Sequence, residues 1–349
     1  MSPLRDVLHF LQVEVKPNAA AIDRDPEALG LALKGLCDGG WMALKRPDAY
    51  GGPAISESDF RHFQEEVARV SGSLAFLQTQ HQSAVSMIAR SDNEALRQAY
   101  LPHMHNGKKL VGIGFSQLRR AGPPMITARP VDGGYRLNGH VPWVTGWSFF
   151  PEFLVGATLP TGEAVFGVVP LVAGPGISIS APMELAAMES AQTVTMDFSD
   201  FLLTKDQVAF IRPSGWIQNN DMINVTLQGH FALGCARAGL DILLENAHRK
   251  LLPFLQTAWD ALDAELERCR ATIVGEPSDQ EHERLKLRAW AIDLAARCAH
   301  AAVVSSSGAA NSMSHPAQRV YREALVFTVS AQTAPIMEAS LQRLVSRQS

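Results

Sequence analysis

The stretch Asp132-Gly133-Gly134-Tyr135-Arg136-Leu137-Asn138-Gly139-His140-Val141-Pro142-Trp143-Val144-Thr145 decides how the middle of the chain is read. Asp132-Gly133-Gly134 is a hairpin turn, since glycine reaches positive φ cheaply. It joins residues 126–130 to residues 135–139 as antiparallel strands. Trp143 and Thr145 then alternate with Pro142 and Val144, the two-residue period of a strand. An aromatic and a threonine suit any strand, so on these residues alone core packing is the better reading.

Working outward, the same period runs from about Leu110 to Val208. Val194, Met196 and Phe198 alternate with Thr193, Thr195 and Asp197, as in a half-buried strand. Val165 opens a short β-branched run that ends at Gly174-Pro175-Gly176. On the N-terminal side the spacing is helical, with Phe60, Phe63, Val67, Val70, Leu74 and Leu77 in one stretch over about 59–90. A second stretch over 94–100 stops at Leu101-Pro102, where proline cannot continue a helix.

Helical spacing returns after Pro213. One helix is predicted over about 219–249 (Leu227, Phe231, Leu243, Leu244) and a second on Trp259, Leu262, Leu266, Cys269 and Ile273. The acidic, proline-containing stretch 275–283 interrupts the pattern. A third helix carries Leu285, Ala289, Ile292, Ala296 and Val303, and a fourth spans about 318–345. The order predicts an α+β chain: an N-terminal helical domain over 1–109, a central β-sandwich or barrel domain over 110–212, and a C-terminal four-helix bundle over 213–349.

Composition narrows the function. Of 349 residues 46% are hydrophobic and 19% charged, a globular balance, and the net charge of −4 is spread over both signs. No basic face offers itself to a nucleic acid. Cys37, Cys235, Cys269 and Cys298 form no CxxC pair and read as reduced, mostly buried thiols. Residues 1–10 carry Arg5 and Asp6 and show no long apolar run or small-residue cleavage site, and charges or prolines interrupt every apolar run before it reaches the length of a membrane span. A cytoplasmic protein without membrane contact is expected.

Several segments together resemble the acyl-CoA dehydrogenase superfamily, and the resemblance covers nearly the whole chain. Gly40-Trp41 through Pro47-Asp48-Ala49-Tyr50-Gly51-Gly52 is similar to that family's Gly-x-x-x-x-x-Pro-x-x-Tyr-Gly-Gly element. Leu101-Pro102 with Gly107 resembles its turn before the β domain, and the hairpin leading to Trp143-Val144-Thr145 resembles its Trp-Ile-Thr signature. Gly308, Arg319-Val320-Tyr321-Arg322-Glu323-Ala324 and Thr333 follow in family order.

The resemblance implies a flavin, FAD in most relatives, with FMN or no flavin as the alternatives. It implies that Trp143 packs on the flavin ring and that the Thr145 hydroxyl meets its reactive N5, where a donor stabilises the reduced ring. Phe115-Ser116 would hold the pyrimidine side and Thr333 would close the pocket from the bundle. A small-molecule substrate, in the family an acyl-CoA, is implied. So are a homodimer or homotetramer and either an electron-transfer partner or a flavin reductase.

The sequence departs from the family where the chemistry is done. The position of the family's catalytic glutamate is Ala331, and the alternative position on the first bundle helix is Asn224; neither accepts a proton. Loss of a positioned base costs about 10²–10⁴-fold. Asp221, one helical turn from Asn224, is the carboxylate nearest the expected substrate site, and it reads equally as a charge complementing a helix N-terminus. Arg249 is the candidate for the family arginine that reaches a flavin diphosphate, against a plain helix-end cation. Pro123-Pro124 replaces the Ser-Asp of the family's Ala-Gly-Ser-Asp, so the serine hydroxyl beside the substrate is missing. His103-Met104-His105 has metal-like spacing in a surface turn, and Arg119-Arg120 stands as a phosphate rim or a solvent-facing loop. Three functions follow, in order: a flavin oxidoreductase acting on CH–CH groups, a two-component flavin monooxygenase, and a non-catalytic scaffold.

Overall fold

The computed structural model describes residues 3–275 and 280–346. The stretch 276–279, part of the predicted interruption, lies outside the described residues. Helices come first: α1 (Pro3–Phe10), α2 (Ala19–Ile22), α3 (Pro26–Asp38), α4 (Glu57–Val70), α5 (Gly72–Ala89) and α6 (Glu94–Tyr100). The strands follow as β1 (Val111–Gly114), β2 (Ile126–Val131), β3 (Gly134–Thr145), β4 (Glu152–Thr158), β5 (Ala164–Pro170), β6 (Ile177–Ile179), β7 (Thr193–Thr204) and β8 (Val208–Arg212). Helices then resume as α7 (Trp216–Asn224), α8 (Gly229–Lys250), α9 (Pro253–Gly275), α10 (Glu281–Ser306), α11 (Pro316–Val329) and α12 (Ala334–Val345).

Three stretches read as continuous helices are broken, each for a local reason. Ser71 is extended (φ −158°, ψ 113°), and its Oγ accepts the Leu74 amide, so one residue ends α4 and caps α5. Between α7 and α8 the amides of Leu227, Gly229 and His230 bond to carbonyls three residues back, which tightens the chain into turns. Between α11 and α12, Ala331 takes φ +50° and Pro335 opens the next helix, so the predicted 318–345 helix is two. On α10 the buried stripe runs through Ala295, Cys298, Ala299 and Ala302, leaving Ala296 exposed.

The strands form one sheet in the order β6-β7-β3-β2-β4-β5-β8, with β1 parallel to β4. Val131 pairs with Gly134, so Asp132 and Gly133 make the two-residue turn, and Gly133 takes φ +83°. α8 is the bundle's central helix and packs on α4 and α10 through glycines. A Cβ at Gly234 would stand 2.1 Å from the Glu65 carbonyl of α4, and one at Gly239 would stand 2.5 Å from the Cys298 carbonyl of α10. All four cysteines are buried free thiols. No described helix is long and apolar enough to cross a membrane.

Candidate functional site

The site is organised by β1. His81 of α5 accepts the Val111 amide on Nδ1 at 3.0 Å and donates from Nε2 to the Met104 carbonyl at 2.9 Å. Burial pushes its imidazole down to about 4, which keeps it neutral and able to play both parts. The strand so anchored lies against the end of β3: a Cβ at Gly114 would stand 3.1 Å from Val144 Cγ2, and one at Gly112 would stand 3.4 Å from the Thr145 carbonyl. Phe115 and Ser116, the next residues, are therefore delivered beside residues 143–145.

β3 carries a bulge at the decisive place. Val141 pairs with Met196 and Val144 with Val194, so one extra residue enters β3 between them. Bulges re-aim side chains, and here Trp143 stands 45% exposed between the buried Pro142 and Val144. That overturns the core-packing reading of this tryptophan. Thr145 is buried, with its Oγ1 at 3.0 Å from Thr193 Oγ1, its cross-strand neighbour on β7. The Ser116 hydroxyl is buried and has no partner among the described residues, and neither has that of Thr333.

Thr333 comes from the bundle. It precedes α12, whose Ile336 packs with Val225, Leu285, Ile292 and Met222. Met222 belongs to α7, and α7 reaches back to the turn after Ser116 through Asp221. Both oxygens of Asp221 are held by Arg119, Nε to Oδ2 at 2.6 Å and Nη2 to Oδ1 at 2.8 Å. Arg119 also lies over the Phe115 ring, 5.6 Å from its centre. This ion pair had no signal in the sequence, and it leaves Asp221 with no oxygen free of a charged donor.

The other singled-out residues stand as follows. Asn224 ends α7 and donates to the Asn220 carbonyl at 2.7 Å. Ala331 is exposed in the α11–α12 turn. Arg249 is not brought to this cluster. It sits in the last turn of α8, a helix of 22 residues and thus roughly 33 Å long, bonded to Asn246. Among the described residues no group of His, Cys, Asp or Glu could hold a metal, and Met104, between His103 and His105, is fully buried.

A cavity of about 220 Å³ opens beside the cluster, between the segment after β1 and the start of α7. Gln117, Arg120, Phe166, Ser214 and Trp216 line it. Gln117 donates to the Gly114 and Gly156 carbonyls, and its Oε1 is buried without a partner among the described residues. α7 begins here without a side-chain cap, after Gly215 at φ +82°, so its first amides face the cavity end of the helix.

Residues 4–108 match the family "Acyl-CoA dehydrogenase, N-terminal domain". The isovaleryl-CoA dehydrogenase of Pongo abelii is 24% identical over 370 residues, covering 97% of this chain and 86% of that protein. A 3-(aryl)acrylate reductase of Clostridium sporogenes (strain ATCC 15579) is 21% identical over 356 residues, covering 94% and 93%. The solved glutaryl-coenzyme A dehydrogenase in its glutaryl-CoA complex shares the fold with a TM-score of 0.84 at 18% identity, over 99% of this chain and 95% of that one. The match over residues 4–108 and the relatives along the chain support the acyl-CoA dehydrogenase superfamily, and the fold is that of its solved members.

Proposed function

We propose that the protein is a flavin-dependent oxidoreductase acting on CH–CH groups of an acyl thioester, with FAD as its cofactor. Its likeness to the superfamily supports the class. The observation that carries the reading is local: an exposed indole at Trp143 beside a buried, unpartnered hydroxyl at Ser116. An aromatic face and a waiting polar group suit the edge of a flat, hydrogen-bonding ring. Bound there, a flavin supplies the hydride acceptor for the reaction.

This chain's own residues then have separable tasks. Trp143 would pack on the ring, and Thr145, held by Thr193, would offer its hydroxyl to it. Phe115 and Ser116 would hold the pyrimidine side, and Thr333 would close the pocket from the bundle. Arg120 and the uncapped start of α7 suit an anionic carrier arm such as that of coenzyme A. The exposed stripes Tyr321-Leu325-Val329 on α11 and Met337-Leu341-Leu344 on α12 support burial against a second copy of the chain. A cytosolic location is part of the same reading.

Proton removal is where a second reading gains weight. Ala331 and Asn224 take no proton, and Asp221 is engaged twice by Arg119. A two-component flavin monooxygenase, fed by a separate reductase, needs no base at those positions. Three observations on purified protein separate the cases. Flavin added to the protein should change the flavin spectrum; no change defeats both enzyme readings and leaves a non-catalytic scaffold. Bleaching on anaerobic addition of acyl-CoAs supports dehydrogenation. Oxygen consumption with a supplied reductase and no bleaching supports monooxygenation.

A further inference from the structure

One cation interrupts the apolar stripe of α10. Arg288 lies three residues after Leu285 and four before Ile292, both buried, and is itself only 1% exposed. Its Nη2 donates to the Phe327 carbonyl at 3.2 Å and the Ser330 carbonyl at 3.3 Å, at the C-terminal end of α11. Its Nε and Nη1 have no partner among the described residues. Among the described residues no carboxylate forms an ion pair with it, and burial alone lowers its guanidinium to about 10, so it stays charged at neutral pH.

The surroundings are also unfinished. The α11–α12 turn presents Ser330 Oγ, Gln332 Oε1 and Thr333 Oγ1, all buried and all without a partner among the described residues. One turn earlier on α10, the Arg284 Nε is in the same condition. The helix-end carbonyls offset part of the desolvation of Arg288. A buried charge lacking a counter-ion is otherwise among the costliest arrangements in a protein. Two donors, hydroxyls that can donate beside them and an excess of positive charge are complementary to an oxyanion.

We infer that Arg288, with the hydroxyls of Ser330 and Thr333, binds a phosphate or carboxylate group of a ligand. The group comes either from the phosphate part of the flavin nucleotide or from a carboxylate carried on the substrate's acyl chain. The inference rests on the flavin reading for its first source only.

The test compares wild type with Arg288→Gln and Arg288→Lys, titrated with riboflavin, FMN and FAD by fluorescence quenching. With a phosphate source, FMN and FAD bind wild type at least about tenfold tighter than riboflavin. Arg288→Gln abolishes that advantage without moving riboflavin, and Arg288→Lys keeps part of it. With a carboxylate source, flavin affinities stay level. The preference for an ω-carboxyacyl-CoA over an acyl-CoA of equal length then falls by a similar factor in Arg288→Gln.

If no flavin binds wild type, the flavin reading fails by itself. Stabilisation of wild type against heat by inorganic pyrophosphate or glutarate, absent in Arg288→Gln, then still supports the oxyanion site. Should the Arg288 variants not fold, Ser330→Ala replaces them and must reduce the same phosphate or carboxylate preference. Equal weakening of all three flavins, or no change for any ligand, overturns the inference and leaves a guanidinium served by internal water.

Discussion

Arg119 grips Asp221 with two parallel hydrogen bonds, 2.6 and 2.8 Å long, and so ties the segment after β1 to α7. Both side chains are less than a fifth exposed, and a forked pair of this kind has more directional strength than a point contact. The pair spans the cleft beside Phe115 and Ser116, so it sets the spacing between the sheet side and the bundle side of the candidate site.

Asp221→Asn tests whether the carboxylate is a base or a strut. As a strut, the variant should lose about 1–2 kcal/mol of stability in chemical denaturation, and Arg119→Ala should lose about as much. The double variant should lose clearly less than their sum. Turnover should fall by less than about tenfold in Asp221→Asn; a fall of 10²-fold or more would restore Asp221 as the base.

Trp143→Ala separates binding from folding. The side chain is 45% exposed, so the thermal midpoint should move by no more than an exposed substitution warrants, within about 0.5 kcal/mol. Flavin affinity should drop at least about tenfold, the scale of a lost aromatic stacking contact. Unchanged flavin affinity would remove the ring from this wall.

His81 makes stability depend on pH. Its imidazole is held at about 4, below the ordinary 6.5, because burial penalises the charged form. The stability it contributes is complete above pH 6.5 and is lost as pH falls towards 4, up to about 3 kcal/mol in all. Urea denaturation at pH 7, 5.5 and 4.5 should show this slope in wild type. His81→Gln, which can still accept from Val111 and donate to Met104, should be flatter over that window.

Gly234→Ala and Gly239→Ala probe the bundle's tightest crossings. In each case the added methyl would meet a main-chain carbonyl, at 2.1 and 2.5 Å, and neither helix has a flexible side chain there to give way. Each variant should lose about 1–3 kcal/mol by chemical denaturation. Gly174→Ala, where no described residue stands within 4 Å, is the control and should cost little.

The sequence made the architecture legible because periodicity changes twice, at the start and end of the strands. It concealed the helix breaks, because apolar spacing runs on through Ser71 and through the 225–228 turns while the backbone does not. Trp143 was visible as a residue, but its exposure depends on a bulge that only the pairing of β3 with β7 reveals. Arg119 and Asp221 are 102 residues apart, and no local pattern links them. Arg288 did leave a trace, a cation inside the stripe that holds Leu285 and Ile292; its contacts with the end of α11 did not.

The buried cysteines have a practical consequence. Burial raises the Cys37 thiol to about 11 and those of Cys269 and Cys298 to about 12, and it lifts Cys235 well above the ordinary value. Thiolate, the species that alkylating reagents attack, is thus nearly absent from the native state. The rate at which iodoacetamide marks each position becomes a clock for local opening, one hand on α3 and one each on α8, α9 and α10. Peptide-resolved labelling would tell whether the N-terminal helices and the bundle come apart together or in turn.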